Sequence, residues 1–259
     1  MLRIDPPYLV CAVLVLALNY ASSLAPGYRG APFHFDLKQL LLHLGYLNAL
    51  AGSKWLNNVF WTLAIEFQFY LLIALLFPLV VAARARVRVL TCAALGALAF
   101  LFPHRGLLVF EYLCLFLLGI WAFQIRAGLV PDKRWQACGW VVWTAGVGAT
   151  LGVESAVAGL LAGWLISHIQ LSWGWALFLG QISYSLYLVH VPIGMRVVSL
   201  GDRFTSSYPA KVGVLVFAAA VTMVVAYGFY RWVEMPAQRL ASAIRYRPSG
   251  AAKNPVAPC

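Results

Sequence analysis

The run Trp61-Thr-Leu-Ala-Ile-Glu-Phe-Gln-Phe-Tyr70 decides how this chain is read. It places a carboxylate, Glu66, inside a predominantly apolar stretch from Val59 to Ala83. About 20 apolar residues cross a bilayer as a helix. A charge at that depth costs roughly 2.5–3.5 kcal/mol on insertion scales, so a partner or a use must offset it. At about 100° per residue, Asn58, Thr62, Glu66 and Tyr70 share one helix face, and Gln68 falls on another. The stripe is expected to face protein or a wet cavity, not lipid. Two readings of Glu66 stand. One is a structural carboxylate, bonded to a neighbour or kept protonated. The other is a group that handles protons or orients a substrate.

Composition sets the class. Of the 259 residues, 63% are hydrophobic and 10% charged, and the mean hydropathy is +0.82. Soluble domains carry about 25% charged residues. The prediction is an all-α, polytopic transmembrane bundle. The net charge of +11 does not point to nucleic acid. Lys and Arg fall in short loops between apolar runs, as the positive-inside rule expects. Cys11, Cys92, Cys114 and Cys138 sit in apolar runs and read as small core residues; the fifth cysteine is Cys259. There is no CxxC pair, so neither a disulfide framework nor a zinc site is predicted, and no metal is expected.

The apolar run Tyr8–Leu24 reads as a retained helix, because Pro26 spoils a signal-peptide cleavage site after Ala25. Pro6 and Pro7 suit its first turn. Asp36 to Leu50 reads as an interfacial or re-entrant helix with Asp36 as N-cap, and Trp55 as an aromatic-belt residue. After the Glu66 helix, further spans are predicted at Val89–Phe102, Leu107–Gln124, Trp135–Leu151, Glu154–Gln170, Trp175–Leu200 and Lys211–Val233. Pro103 with Gly106, then Gly128 with Pro131, mark turns. That makes about eight spans, and an even number puts both termini on one side. With cytoplasmic termini, the 19 basic residues split about 12 inside to 7 outside or near that face. Residues 1–240 form the predicted bundle, and 241–259 a basic, disordered cytoplasmic tail.

Two more polar features follow. Taking Ser183 as zero, Gly180, Tyr187, His190 and Gly194 fall within about 60° on one helix face. That face carries a hydroxyl, a phenol and an imidazole. Such residues also pack helices in membranes, so a structural role for Ser183 and Tyr187 stands beside a binding one. His190 is the sharper candidate, because histidine titrates near neutral pH. In Arg231-Trp-Val-Glu-Met-Pro236, Arg231 and Glu234 are spaced to pair as an interfacial anchor, and Pro236 is expected to stop the last helix.

Three of these segments resemble one family. Trp61-Thr-Leu-Ala-Ile-Glu66 with Phe69-Tyr70 resembles the W-[ST]-L-x-x-E-x-x-F-Y segment of acyltransferase family 3, integral-membrane O-acyltransferases of bacterial surface sugars. Ile182-Ser-Tyr-Ser-Leu-Tyr-Leu-Val-His190 with Pro192 is similar to its I-S-Y-S-L-Y-L-x-H-x-P segment, and Glu234-Met-Pro236 to its closing E-x-P. Phe116-Leu-Leu-Gly119 and Arg3-Ile-Asp-Pro-Pro-Tyr8 are weaker echoes. The resemblance implies transfer of an acyl group from acyl-CoA, as a donor substrate and with no bound cofactor, to a hydroxyl of a glycan or lipid-linked sugar. Acetyl-CoA is the expected donor. It implies a multi-pass protein of the bacterial inner membrane, with Glu66 and His190 as catalytic candidates. Arg3, Asn58, Thr62, Tyr70, Ser183 and Tyr187 are the candidates for substrate binding, with Arg3 meeting CoA phosphates. Family members usually begin with two further spans bearing an arginine and a histidine regarded as the base. On that expectation the chain is an N-terminally shortened member with little activity alone. A non-catalytic membrane remnant and a small-solute transporter are the competing readings; an internal repeat, which would favour the transporter, is not found.

Overall fold

The computed structural model describes residues 3–26, 32–102, 108–169 and 172–243. Among them there are helices and no strand. The expected turn at Pro103–Gly106, Gln170 and the residues of the predicted tail beyond 243 lie outside this set. The chain divides into two compact units, Asp36–Phe178 and Met1–Phe35 with Leu179–Cys259.

In the continuous unit, α2 (Leu37–Leu44) precedes α3 (Phe60–Val80), α4 (Ala85–Leu101), a 3-10 turn (Val109–Tyr112), α5 (Leu113–Arg126), α6 (Lys133–Leu151) and α7 (Val153–His168). Against α5 pack α4, α6 and α7. Its Leu113, Cys114, Leu117 and Leu118 are fully buried. Lipid tails are as apolar as leucine, so association in a bilayer rests on close packing and on small residues that permit it. Gly139 is such a residue: a Cβ there would lie 2.1 Å from the Trp121 ring. The Trp121 indole meanwhile donates to the Gln136 carbonyl at 3.1 Å.

The C-terminal end of α3 is held by side chains. Gln124 donates to the Val80 carbonyl (2.9 Å). Arg88, only 8% exposed, donates to the carbonyls of Ala82 (2.5 Å), Ala83 (3.1 Å) and Leu129 (2.7 Å). A cation there also suits the negative end of the helix dipole.

In the discontinuous unit, α1 (Asp5–Ser23) runs parallel to α8 (Gly174–Val189), whose first residues belong to the other unit. Tyr184 donates to the Ile4 carbonyl at 2.9 Å, Cys11 to the Leu188 carbonyl at 3.4 Å, and Arg196 to Asn19 Oδ1 at 2.6 Å and Ser22 Oγ at 3.3 Å. These bonds advance along both helices together. A π-helical turn (His190–Gly194) leads into α9 (Met195–Gly201). A second (Tyr230–Glu234) joins α10 (Tyr208–Phe229) to α11 (Met235–Ala243).

Several expectations change here. Five helices among the described residues, not eight, are long and apolar enough to span: Asp5–Ser23, Phe60–Val80, Val109–Arg126, Gly174–Gly201 and Tyr208–Ala243. The remaining three predicted spans fall short. α4 has 17 residues and carries Arg86 and Arg88, and α6 opens on Lys133 and Arg134. α7 has 16 residues, about 24 Å against a core of about 30 Å. Asp36 does cap α2, accepting from the Gln39 N–H at 3.2 Å, but that helix ends at Leu44, well before Leu50. Pro236 does not stop the last helix. The π turn before it absorbs the missing hydrogen bond, and Pro192 lies within the other π turn. Cys138 is exposed, unlike Cys11, Cys92 and Cys114.

Arg88→Met should destabilise the protein by about 2–4 kcal/mol, because it orphans three carbonyls. Thermal unfolding in detergent measures this, and a melting temperature within a degree of wild type would contradict it.

Candidate functional site

The Glu66 stripe lies in the first half of α3. Four residues separate Glu66 and Tyr70, one helical turn, and the Tyr70 hydroxyl donates to Glu66 Oε1. Both side chains are half-buried. Thr62 turns its hydroxyl onto the Val59 carbonyl of its own helix (2.9 Å). Asn58 is exposed and precedes the first helical residue, Phe60, so it does not belong to the helical stripe. Gln68, expected on another face, accepts from the Val109 N–H at 2.9 Å and ties α3 to the 3-10 turn.

Ahead of α3 the chain builds a polar cap that the sequence reading missed. His43, Asn48 and Asn57 are buried there. His43 Nδ1 lies 2.7 Å from the Gln39 carbonyl, and its Nε2 accepts from the Leu56 N–H at 3.2 Å. Together these select the neutral tautomer with the proton on Nδ1. The ring is flanked edge-on by Trp55 and Phe60. Asn48 donates to the same Gln39 carbonyl (3.2 Å), and Gln39 donates to the Lys54 carbonyl (2.7 Å). The sequence signal was present: with Asp36 as cap, Gln39 and His43 fall four apart on α2. Burial holds the His43 pKa below its usual 6.5.

In the other unit, the second stripe divides. Ser183 and His190 are exposed, and Tyr187 is half-buried. Ser183 bonds to the Gly180 carbonyl of its own helix (2.8 Å). His190 Nδ1 sits 2.7 Å from the Tyr187 carbonyl, with the two rings 5.7 Å apart. A proton on Nδ1 makes Nε2 the basic nitrogen of the neutral ring. The side chains that turn inward are Tyr184 and Ser185. Ser185, which the sequence reading passed over, donates to Glu234 Oε2 at 2.5 Å, and Gln238 donates to Oε1 at 2.9 Å. Glu234 is 1% exposed. The expected Arg231–Glu234 pair is therefore replaced: Glu234 faces α8, while Arg231 reaches Met235 Sδ at 3.3 Å. Arg3 is exposed ahead of α1.

Among the described residues the fold is a helical bundle with long apolar helices, as expected for an integral-membrane protein. The acyltransferase domain of acyltransferase family 3 matches residues 1–231. The chain belongs to that family. No curated protein and no solved structure matches it at a significant level. Family membership makes this a multi-pass membrane protein of the acyltransferase class.

Among the described residues no cluster of His, Cys, Asp and Glu has the arrangement of a metal site.

Protonating His43 would break its bond from Leu56. Its folded pKa lies below the unfolded value of 6.5, so its stabilisation is full above pH 6.5 and is lost as pH falls from there through the lower folded pKa. Melting in detergent between pH 8 and pH 5 should show this loss, and His43→Gln should flatten it. An identical slope in the variant would contradict the assignment.

Proposed function

We propose that this protein transfers an acyl group, acetyl in the simplest case, from acyl-CoA to a hydroxyl of a cell-surface or exported glycan. The observation that carries the reading is the family match over residues 1–231. In the proposed reaction, the acceptor hydroxyl gives its proton to a base as its oxygen attacks the thioester carbonyl. A C–O bond forms, the C–S bond breaks, and the proton leaves with the CoA thiol. Base and oxyanion donors each lower this barrier by powers of ten.

His190 is the proposed base, acting through Nε2; its contact with the Tyr187 carbonyl fixes the tautomer that leaves this nitrogen basic. Glu66 is the proposed orienting carboxylate, itself held by Tyr70. Ser183, Tyr187, Asn58 and Thr62 are proposed to contact the acceptor, and Arg3 the CoA phosphates. The proposed location is the bacterial inner membrane with both termini cytoplasmic. The charge split supports that orientation; the five long apolar helices among the described residues, an odd number, do not.

The test is expression in a host whose surface polysaccharide lacks ester-linked acyl groups, followed by assay of those groups and of labelled acetyl-CoA consumption in membranes. Wild type should acylate. Glu66→Gln and His190→Gln should each accumulate normally in the membrane and lose more than about 10²-fold in rate. No transfer by wild type overturns the acyl-transfer reading for this chain and leaves the nearly inert, shortened member that the resemblance implied. Full activity in Glu66→Gln makes that carboxylate structural, and full activity in His190→Gln removes it as the base.

A further inference from the structure

Both ends of the continuous unit carry charge, but not alike. At one end, α3, α5 and α7 finish, and α4 and α6 begin. Arg88 ties the loops there together through its bonds to Ala82, Ala83 and Leu129. Arg126 ties in α7 by donating to the Ile166 carbonyl at 2.8 Å. These bonds gather Arg84, Arg86, Arg126, Lys133 and Arg134 on one face, all exposed, around the buried Arg88. Asp132 is the one carboxylate among them, and it caps α6 by accepting from the Arg134 N–H at 2.8 Å. The opposite end is near balance among the described residues: Asp36, Glu111 and Glu154 face Lys38 and Lys54.

Two further observations place the cationic face at a membrane surface. The long apolar helices α3 and α5 both end on it. Trp135 stands among the cations at 66% exposure, the position of an interfacial aromatic anchor. α4 also begins on this face without a side-chain cap, so its first N–H groups add donors suited to an anion.

We propose that this face is a binding surface for anionic phospholipid headgroups of the leaflet it meets. Five exposed cations within two joined loops match the density at which juxtamembrane basic clusters recognise acidic lipids. Arginine forks suit phosphate oxygens, and the surface is prebuilt, because Arg88 and Arg126 spend their own bonds on main-chain carbonyls rather than on a ligand. The inference does not depend on the acyl-transfer reading.

The experiment uses the full chain, purified in a neutral detergent and stripped of lipid. Phosphatidylglycerol and phosphatidylcholine are titrated in, with bound lipid counted by native mass spectrometry and stability followed by melting. Phosphatidylglycerol should bind and stabilise, phosphatidylcholine should not, and the preference should shrink as salt is raised. The variant R84Q/R86Q/K133Q/R134Q should bind phosphatidylglycerol at least about ten-fold more weakly, since each cation near an anionic surface is worth a factor of about five. R84K/R86K/R134K keeps the charge and should keep the binding, which separates lost recognition from lost folding. K38Q/K54Q, at the opposite end, should behave as wild type. Equal binding of the two lipids, or unchanged phosphatidylglycerol binding by the neutralised variant, would overturn the proposal. So would equal stabilisation by inorganic phosphate or CoA at matched ionic strength, which would make this a soluble-phosphate site.

Discussion

The last carbonyls of a helix have no partner within it, and one that is buried without another donor is costly. At the end of α3 the protein meets this with Gln124 on Val80 and Arg88 on Ala82 and Ala83. The same two side chains carry the architecture outward. Gln124 belongs to α5, on which α4, α6 and α7 pack, and the third Arg88 bond reaches the loop after α5. The helix bearing Glu66 is thus clamped at one end by side-chain bonds and flanked at the other by the His43 cap. Between these anchors Glu66 accepts from Tyr70, one turn along the same helix.

Much of this was legible in the residues. Asp36 signalled its cap, and the four-residue spacing of Glu66 and Tyr70 signalled their contact, because both depend on local helix geometry. The family followed from two motifs in order. The number of long spans did not follow, since apolar runs such as Glu154–Gln170 are too short in helical form for a full crossing, and a run's apolarity says little about its length as a helix. The buried Asn48 and Asn57 were hidden because they bond main-chain atoms of Gln39 and Val59, which no residue pattern records; only the four-residue spacing of Gln39 and His43 on α2 carried a signal. Glu234 was assigned the wrong neighbour because Arg231 is near in sequence, whereas Ser185 comes from 49 residues away.

The π-helical turn explains why Gly194 parts from the second stripe. Each such turn inserts one residue, which rotates everything beyond it by about 100° relative to an unbroken α-helix. Ser183 and His190 lie before or at the start of the turn and are exposed. Gly194 lies at its end, close enough to α10 that a Cβ there would touch Thr222 Oγ1 at 3.4 Å. A face drawn at constant angle from Gly180 to Gly194 therefore joins residues that the folded chain separates.

The parallel pairing of α1 with α8 sets an order of events during synthesis. Its bonds join residues 174 to 180 positions apart, from Arg196 with Ser22 to Tyr184 with Ile4. The segment Asp36–Phe178 emerges between them and has its own interior, so it can close first. Contacts that wait on so long an intervening chain form late. Asn19 and Ser22 must therefore enter the bilayer well before the arginine that will satisfy them exists. Within this stretch α1 is therefore made early and locked late.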